Sequence, residues 1–276
     1  MTEQGRIPWY LKALAILAGL WLVAPTLVVI PMSFTGRSSF MFPPPDWSLD
    51  YYRNFFTHPI WLDSLLTSLR LAAVVTVLAT VCGTAAAFGI VRGRLRGGGA
   101  MSGILLTPII LPQIVAAIAI YIVFLRTGLS GTFLGLVIAH TGFAIPFVTV
   151  AVVANLRTID PELERAAASL GSSPLTTFRT VTLPLAAPGV LSGAVFAFAV
   201  SFDEVVISLF LTSPALRTLP VQMFTSVTTE TDPTIAAAST IVVAATTALL
   251  LLVVASPRAR RAAIQDFSST ARREQS

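Results

Sequence analysis

Long apolar runs separated by short polar interruptions dominate the chain. A helix needs about 20 mostly apolar residues to cross the hydrocarbon core of a bilayer. Six runs are read as spans on that basis, at 11–33, 64–91, 101–125, 132–154, 186–211 and 234–256. Pro25, Pro108, Pro112 and Pro146 fall inside spans, where kinks are tolerated if neighbouring groups re-satisfy the backbone. Arg6 and Lys12 give the first run a basic start, as in a secretory leader. The run is too long for one, however, and no small-x-small cleavage site follows at Pro31-Met32-Ser33-Phe34, so a retained helix is expected. The pattern predicts an all-α integral membrane protein of six transmembrane helices. Residues 1–10 form a short N-terminus, 11–256 the membrane domain and 257–276 a polar tail.

One polar interruption, within 155–185, is patterned rather than merely hydrophilic. Asp160-Pro161 followed by Glu162 and Glu164 is a helix-start signal. Ala166, Ala167 and Ala168 are strong helix formers without bulk, so another surface can approach them closely. Gly171 permits the left-handed conformation that ends a helix. Ser172 or Ser173, before Pro174, can cap a second one. An amphipathic helix lying on the membrane would need large apolar residues along one face, which the alanines do not supply. A docking surface for a soluble partner is the better reading.

Composition sharpens this picture. The chain is 55% hydrophobic and 11% charged, against about 25% charged in soluble domains, and its mean hydropathy is +0.82. Little of it is left for a soluble domain. The single cysteine, Cys82, lies in an apolar run, so no internal disulfide is possible; it is expected to be inert packing. Lysine occurs once, at Lys12. No Gly-Lys-Ser/Thr phosphate-binding loop exists, so if ATP drives this protein another subunit binds it. The net charge of +5 does not point to nucleic acid, because topology accounts for basic residues at span ends. Arg6, Lys12, Arg92, Arg94, Arg96, Arg157, Arg165, Arg179, Arg258, Arg260, Arg261, Arg272 and Arg273 fall on one side of a six-span arrangement. The positive-inside rule puts that side, with both termini and the 155–185 loop, in the cytoplasm.

Polar residues within the spans are the remaining signal. Asp203 and Glu204 lie in the fifth run, where acids are costly and usually face a cavity or a partner. Ala194, Ala197, Ser201, Glu204 and Ser208 share one helical stripe, with Asp203 beside it. The two acids are read either as a cation site or as groups paired internally or snorkelling to the outer interface. Trp47, Tyr51, Tyr52 and Trp61, in the outer segment, either form an interfacial belt or line an entrance. His140 is expected to hydrogen-bond between helices. Gly131-x-x-x-Gly135 and Gly189-x-x-x-Gly193 are expected close-packing faces, internal or against another subunit. No metal-ligand spacing and no nucleophile–base motif is present.

Arg165-Ala166-Ala167, three residues, Gly171, nine residues, then Val181-Thr182-Leu183-Pro184 resembles the Glu-Ala-Ala signature of permease subunits of binding-protein-dependent ABC importers. The spacing matches at every interval. Arg165 stands where the signature has glutamate, and Glu164 stands one residue earlier, about 100° around a helix. Ser201-Phe202-Asp203-Glu204-Val205-Val206, Leu219-Pro220 and Asp232-Pro233-Thr234 resemble the second permease of spermidine/putrescine-type importers. Gln113, in Leu111-Pro112-Gln113, stands where that branch commonly has an acid.

The resemblance implies a type I importer permease fold in a bacterial inner membrane, not itself catalytic. It implies a second permease, making a heterodimer, and a periplasmic or extracellular solute-binding protein. A dimer of separate ATPase subunits would hold ATP and Mg. It places Glu164, Arg165, Ala166, Ala167, Gly171, Leu183 and Pro184 at the ATPase contact. Ser201, Asp203, Glu204, Gln113 and Trp47 are the candidates for the substrate path. Putrescine and spermidine are the expected solutes, with 4-aminobutyrate or aminophosphonates as alternatives. A secondary transporter or channel working without ATP is the reading from another class, although no internal repeat of the kind many such proteins carry is visible.

Overall fold

Helices whose apolar residues face every direction dominate, because lipid is as apolar as a protein core and a span has no polar face to present. A computed structural model describes residues 8–37, 42–93, 98–230 and 232–255. The helices are α1 (Trp9–Met32), α2 (Asp50–Thr57), α3 (Pro59–Val91), α4 (Gly98–Ile110), α5 (Gln113–Thr127), α6 (Phe133–Leu156), α7 (Glu162–Ser169), α8 (Pro174–Thr177), α9 (Leu183–Phe202), α10 (Val206–Leu211), α11 (Leu219–Thr225) and α12 (Thr234–Ala255). π-Helical turns at Phe178–Thr182 and Ser226–Glu230 follow α8 and α11. Among the described residues the only β pairing is two isolated bridges, as the all-α expectation requires. Of the expected tails, residues 1–7 and 257–276, with Arg6, Arg258, Arg260, Arg261, Arg272 and Arg273, lie outside the described residues, as do Arg94 and Arg96, whereas Trp9 and Tyr10 belong to α1.

Among the described residues, four helical stretches are long and apolar enough to cross a membrane: Trp9–Met32, Pro59–Val91, Phe133–Leu156 and Pro174–Phe202. The expected third span is instead a bent pair, Gly103–Ile110 and Gln113–Thr127, meeting at 105°. The break falls at Leu111-Pro112, where the proline cannot donate to the preceding turn and disfavours helix in the residue before it. Where the sixth span is expected, α12 is apolar over Thr234–Ala248, a stretch shorter than the four crossing helices, so the described residues supply four spans, or five with the bent pair, rather than six.

The chain divides into two units. In residues 59–225, α3, α6 and α9 pack into a core of small and branched side chains, with Leu71, Val75, Ala79, Val148, Val152, Leu156, Ala186 and Ala197 buried. Glycine makes the close approach possible. A Cβ on Gly83 would lie 2.7 Å from Cβ of Val148, one on Gly193 3.0 Å from Cγ1 of Val148, and one on Gly189 2.5 Å from Cβ of Asn155. Val148 of α6 is thus seated against glycines of both α3 and α9, the small-residue contact that lets membrane helices gain dispersion energy. Gly189-x-x-x-Gly193 is therefore an internal packing face.

Gly131-x-x-x-Gly135 is not. Gly131 precedes α6 in a left-handed turn (φ +75°), and Gly135 sits against the Leu129 carbonyl in the first turn. Cys82, expected to be buried, is exposed on α3, on the side that carries Val77 and Val81.

In the unit made of residues 1–58 and 226–276, Asn54 Nδ2 donates to Thr234 Oγ1 at 2.8 Å, joining α2 to α12. Tyr52 and Ser33 share a hydroxyl hydrogen bond of 2.6 Å.

Candidate functional site

Two places combine polar residues with exposed or strained structure. The first is the polar loop between α6 and α9. Asp160 Oδ1 accepts from the Glu162 backbone at 2.9 Å and opens α7 behind Pro161. The helix ends where expected: Gly171 has φ +84°, Gly171 N donates to Ala168 O at 2.9 Å, and Ser172 N donates to Ala167 O at 3.1 Å. These bonds satisfy carbonyls that the helix end would otherwise orphan. Ser173 then caps α8, its hydroxyl accepting from Thr176 N at 3.3 Å. Leu183 and Pro184 stand where the π-helical turn Phe178–Thr182 passes into α9.

The acidic residues of α7 have separate tasks. Arg92 Nε donates to Glu164 Oε1 at 3.1 Å, and its Nη2 donates to Ile159 O at 3.0 Å. Thr182 Oγ1 donates to the same Glu164 oxygen at 3.3 Å. Glu164 thus holds α7 to the end of α3 and to the turn before α9. Arg165 pairs with Glu162 on the exposed face. Glu164 therefore faces inward, and Arg165, at the position where the signature has glutamate, faces outward. A cavity of about 350 Å³ lies beneath α7, lined by Phe88, Arg92, Glu164, Thr177, Phe178 and Thr182 among others.

Three leucines at this surface add what the alanines do not. Leu163, Leu170 and Leu175 are 49%, 89% and 58% exposed. Leu163 and Leu170 stand seven residues apart, near two helical turns, with Ala166 between them and also exposed. The loop therefore does present large apolar side chains, contrary to the reading from the alanines alone. Only the alternation of exposed leucine with polar residues, seven apart, could have signalled them.

The second place is the fifth span, which is not one helix. It stops at Phe202, with Asp203 in the C-cap position, and resumes at Val206. The expected continuous stripe is therefore broken. At the break the Glu204 side chain meets the first turn of α10, its Oε1 accepting from Ile207 N at 2.8 Å. The buried sequence of polar groups survives the break: Ser201, Glu204 and Ser208 are 5%, 7% and 0% exposed. Asp203, by contrast, points out and is exposed.

The other oxygen of Glu204 accepts a hydrogen bond from Gln113 Nε2. Gln113 is the first residue of α5, just past the bend in the third span. Two broken spans thus meet through an amide and a carboxylate. His140 of α6 lies 3.1 Å from Ser201 Oγ through Nδ1 and 3.1 Å from Ser208 Oγ through Nε2. Helix discontinuities at membrane depth are tolerated where they are buried in protein or line a water-filled cavity. Trp47 belongs to the other unit, where it is 69% exposed and packs 6.1 Å from the Phe34 ring.

These features define a multi-pass membrane protein with broken spans and a structured polar loop. Residues 79–261 match the family described as binding-protein-dependent transport system inner membrane component, and the chain belongs to that family: it is the permease component of an ABC importer. It is 32% identical over 217 residues to the spermidine/putrescine transport system permease protein PotC of Haemophilus influenzae, covering 79% of this chain and 84% of that one. It is also 32% identical over 238 residues to the molybdenum transport system permease protein ModB of Mycobacterium bovis, covering 81% and 85%. In fold it is similar to a solved bacterial ABC transporter involved in import of the acidic polysaccharide alginate, with TM-score 0.65 and 16% identity over 91% of this chain and 96% of that one.

Proposed function

We propose that this permease forms the translocation path for a small amine-bearing solute of the putrescine or spermidine kind, and that α7 and α8 transmit the action of a separate ATPase to it. The observation that carries the solute reading is Glu204, a carboxylate 7% exposed at the junction of two broken spans. Acids within membrane spans face the bundle interior or a cavity and mark substrate or ion pathways among other functional roles. Asp203, exposed beside it, adds a second negative charge. The relatives serve chemically different solutes, so the chemistry of this chain's own path decides among them, and that chemistry favours a cation.

The coupling reading rests on exposed Leu163, Leu170 and Leu175 around a glycine turn. Covering Leu170, 89% exposed, is worth about 1.5–3 kcal/mol, and the half-exposed Leu163 and Leu175 add less each, a gain that a groove on an ATPase would supply. Cytoplasmic termini, a second permease completing the path, an external solute-binding protein, and ATP with Mg on the ATPase complete the proposal. ATP-driven approach of the two ATPases would move the α7 segments and switch the permeases between inward-open and outward-open states.

The solute assignment is tested on the binding protein that delivers to this permease, since it meets the solute first. Putrescine or spermidine is expected to raise its melting temperature by several degrees, as ligand at about 100 times Kd adds about 2.7 kcal/mol. A shift with molybdate or an uncharged sugar and none with an amine contradicts the assignment.

A further inference from the structure

We infer that His140 is a positioning residue: its imidazole clamps the two halves of the fifth span across their break and so holds Glu204 against Gln113. The consequence for transport rests on the path proposed above, but the clamp itself stands on geometry. His140 is 1% exposed on α6, and its two ring nitrogens each lie 3.1 Å from a serine hydroxyl. Ser201 belongs to the last turn of α9 and Ser208 to the first turn of α10. Glu204 lies between them in the gap.

The chemistry suits a clamp. A neutral imidazole carries one N–H and one lone pair, and a serine hydroxyl can donate or accept. One serine therefore accepts from the ring and the other donates to it, and both polar ring atoms are satisfied. The break leaves no i to i−4 bonding to hold α9 and α10 in register. Within the gap, the Glu204 cap on Ile207 acts only on the α10 side. The ring bridges both sides from a third helix, which α3 and α9 pack in place. Rotation of α10 about the gap would carry Glu204 away from Gln113, and the two serine bonds oppose it.

The test compares two variants in the assembled transporter. Glutamine carries a donor and an acceptor at its end and is expected to preserve the clamp in H140Q. Leucine fills the space without hydrogen bonds, and in H140L the serines can turn to carbonyls of their own helices. Spin labels on cysteines at Val195 and Leu209, in a Cys82→Ser background, report the spacing across the gap. A narrow distance distribution is expected in the parent and in H140Q, and a broadened one in H140L. With it, KM for the amine is expected to rise about tenfold in H140L, the size of one lost hydrogen bond to a charged group, while H140Q stays near the parent.

An H140L distribution as narrow as the parent's overturns the clamp, whatever uptake does. So does an H140Q variant that broadens as much as H140L, because it would show that bonding capacity is not what matters. A broadened H140L with KM unchanged in both H140L and Glu204→Gln upholds the clamp and overturns the solute path instead.

Discussion

Replacing Gly171 with tryptophan is expected to reduce solute uptake at least tenfold and to loosen the ATPase from the membrane complex, while the chain still inserts and folds. The size follows from two separable costs. Gly171 sits at φ +84°, where any L residue adds roughly 1–2 kcal/mol of local strain. Apart from its two chain neighbours, no described residue places an atom within 4 Å of the Cβ position, so the fold itself does not reject a side chain there. The space a tryptophan would fill lies beside exposed Leu170, on the face assigned to the partner. Gly171→Ala carries the same backbone strain without the bulk and is expected to lose far less. Uptake and ATPase retention measured side by side for the two variants separate strain from obstruction. Equal losses would place the role of Gly171 in the turn alone.

Neutralising Glu204 is the second large effect. Glu204→Gln keeps an oxygen to cap Ile207 and a similar shape, so helix α10 is expected to form as before. It removes the charge on which an ammonium group would dwell. Hydrogen bonds to charged groups contribute about 1.5–3 kcal/mol, so KM for a cationic solute is expected to rise about tenfold or more. Asp203→Asn, at an exposed position, is expected to have a smaller effect. Glu204→Ala is a poorer probe, because it leaves the buried Ile207 N–H unpaired at a cost of about 1–3 kcal/mol. Amine uptake kinetics in liposomes check the expectation. An unchanged KM in Glu204→Gln would make Glu204 a helix cap and nothing more.

What could be read from the sequence was what local chemistry determines. The apolar runs located the spans because a membrane helix must be apolar on all sides. Gly171 and Ser173 located the ends of α7 and α8 because left-handed backbone and N-caps each need particular residues. The break at Asp203–Val205 was hidden, since Ala, Val and Phe before it and Val, Ile and Leu after it continue one apolar run. It depends on Glu204 capping Ile207 and meeting Gln113, 91 residues away in the chain. The Arg92–Glu164 pair spans 72 residues and was equally invisible, so the inward use of Glu164 could not be told from its neighbour Arg165. Pro112 marked a kink, but the 105° bend depends on how α4 and α5 pack.

The central claim is that this permease moves solute only when a separate ATPase drives it through the α7 surface. The most direct test is uptake of labelled putrescine into liposomes containing the purified chain, first alone and then with its second permease, ATPase and binding protein. No accumulation is expected from the chain alone, and accumulation that requires ATP and Mg is expected from the complete assembly. Concentrative or leak transport by the chain alone, unchanged by ATPase and ATP, would contradict the account.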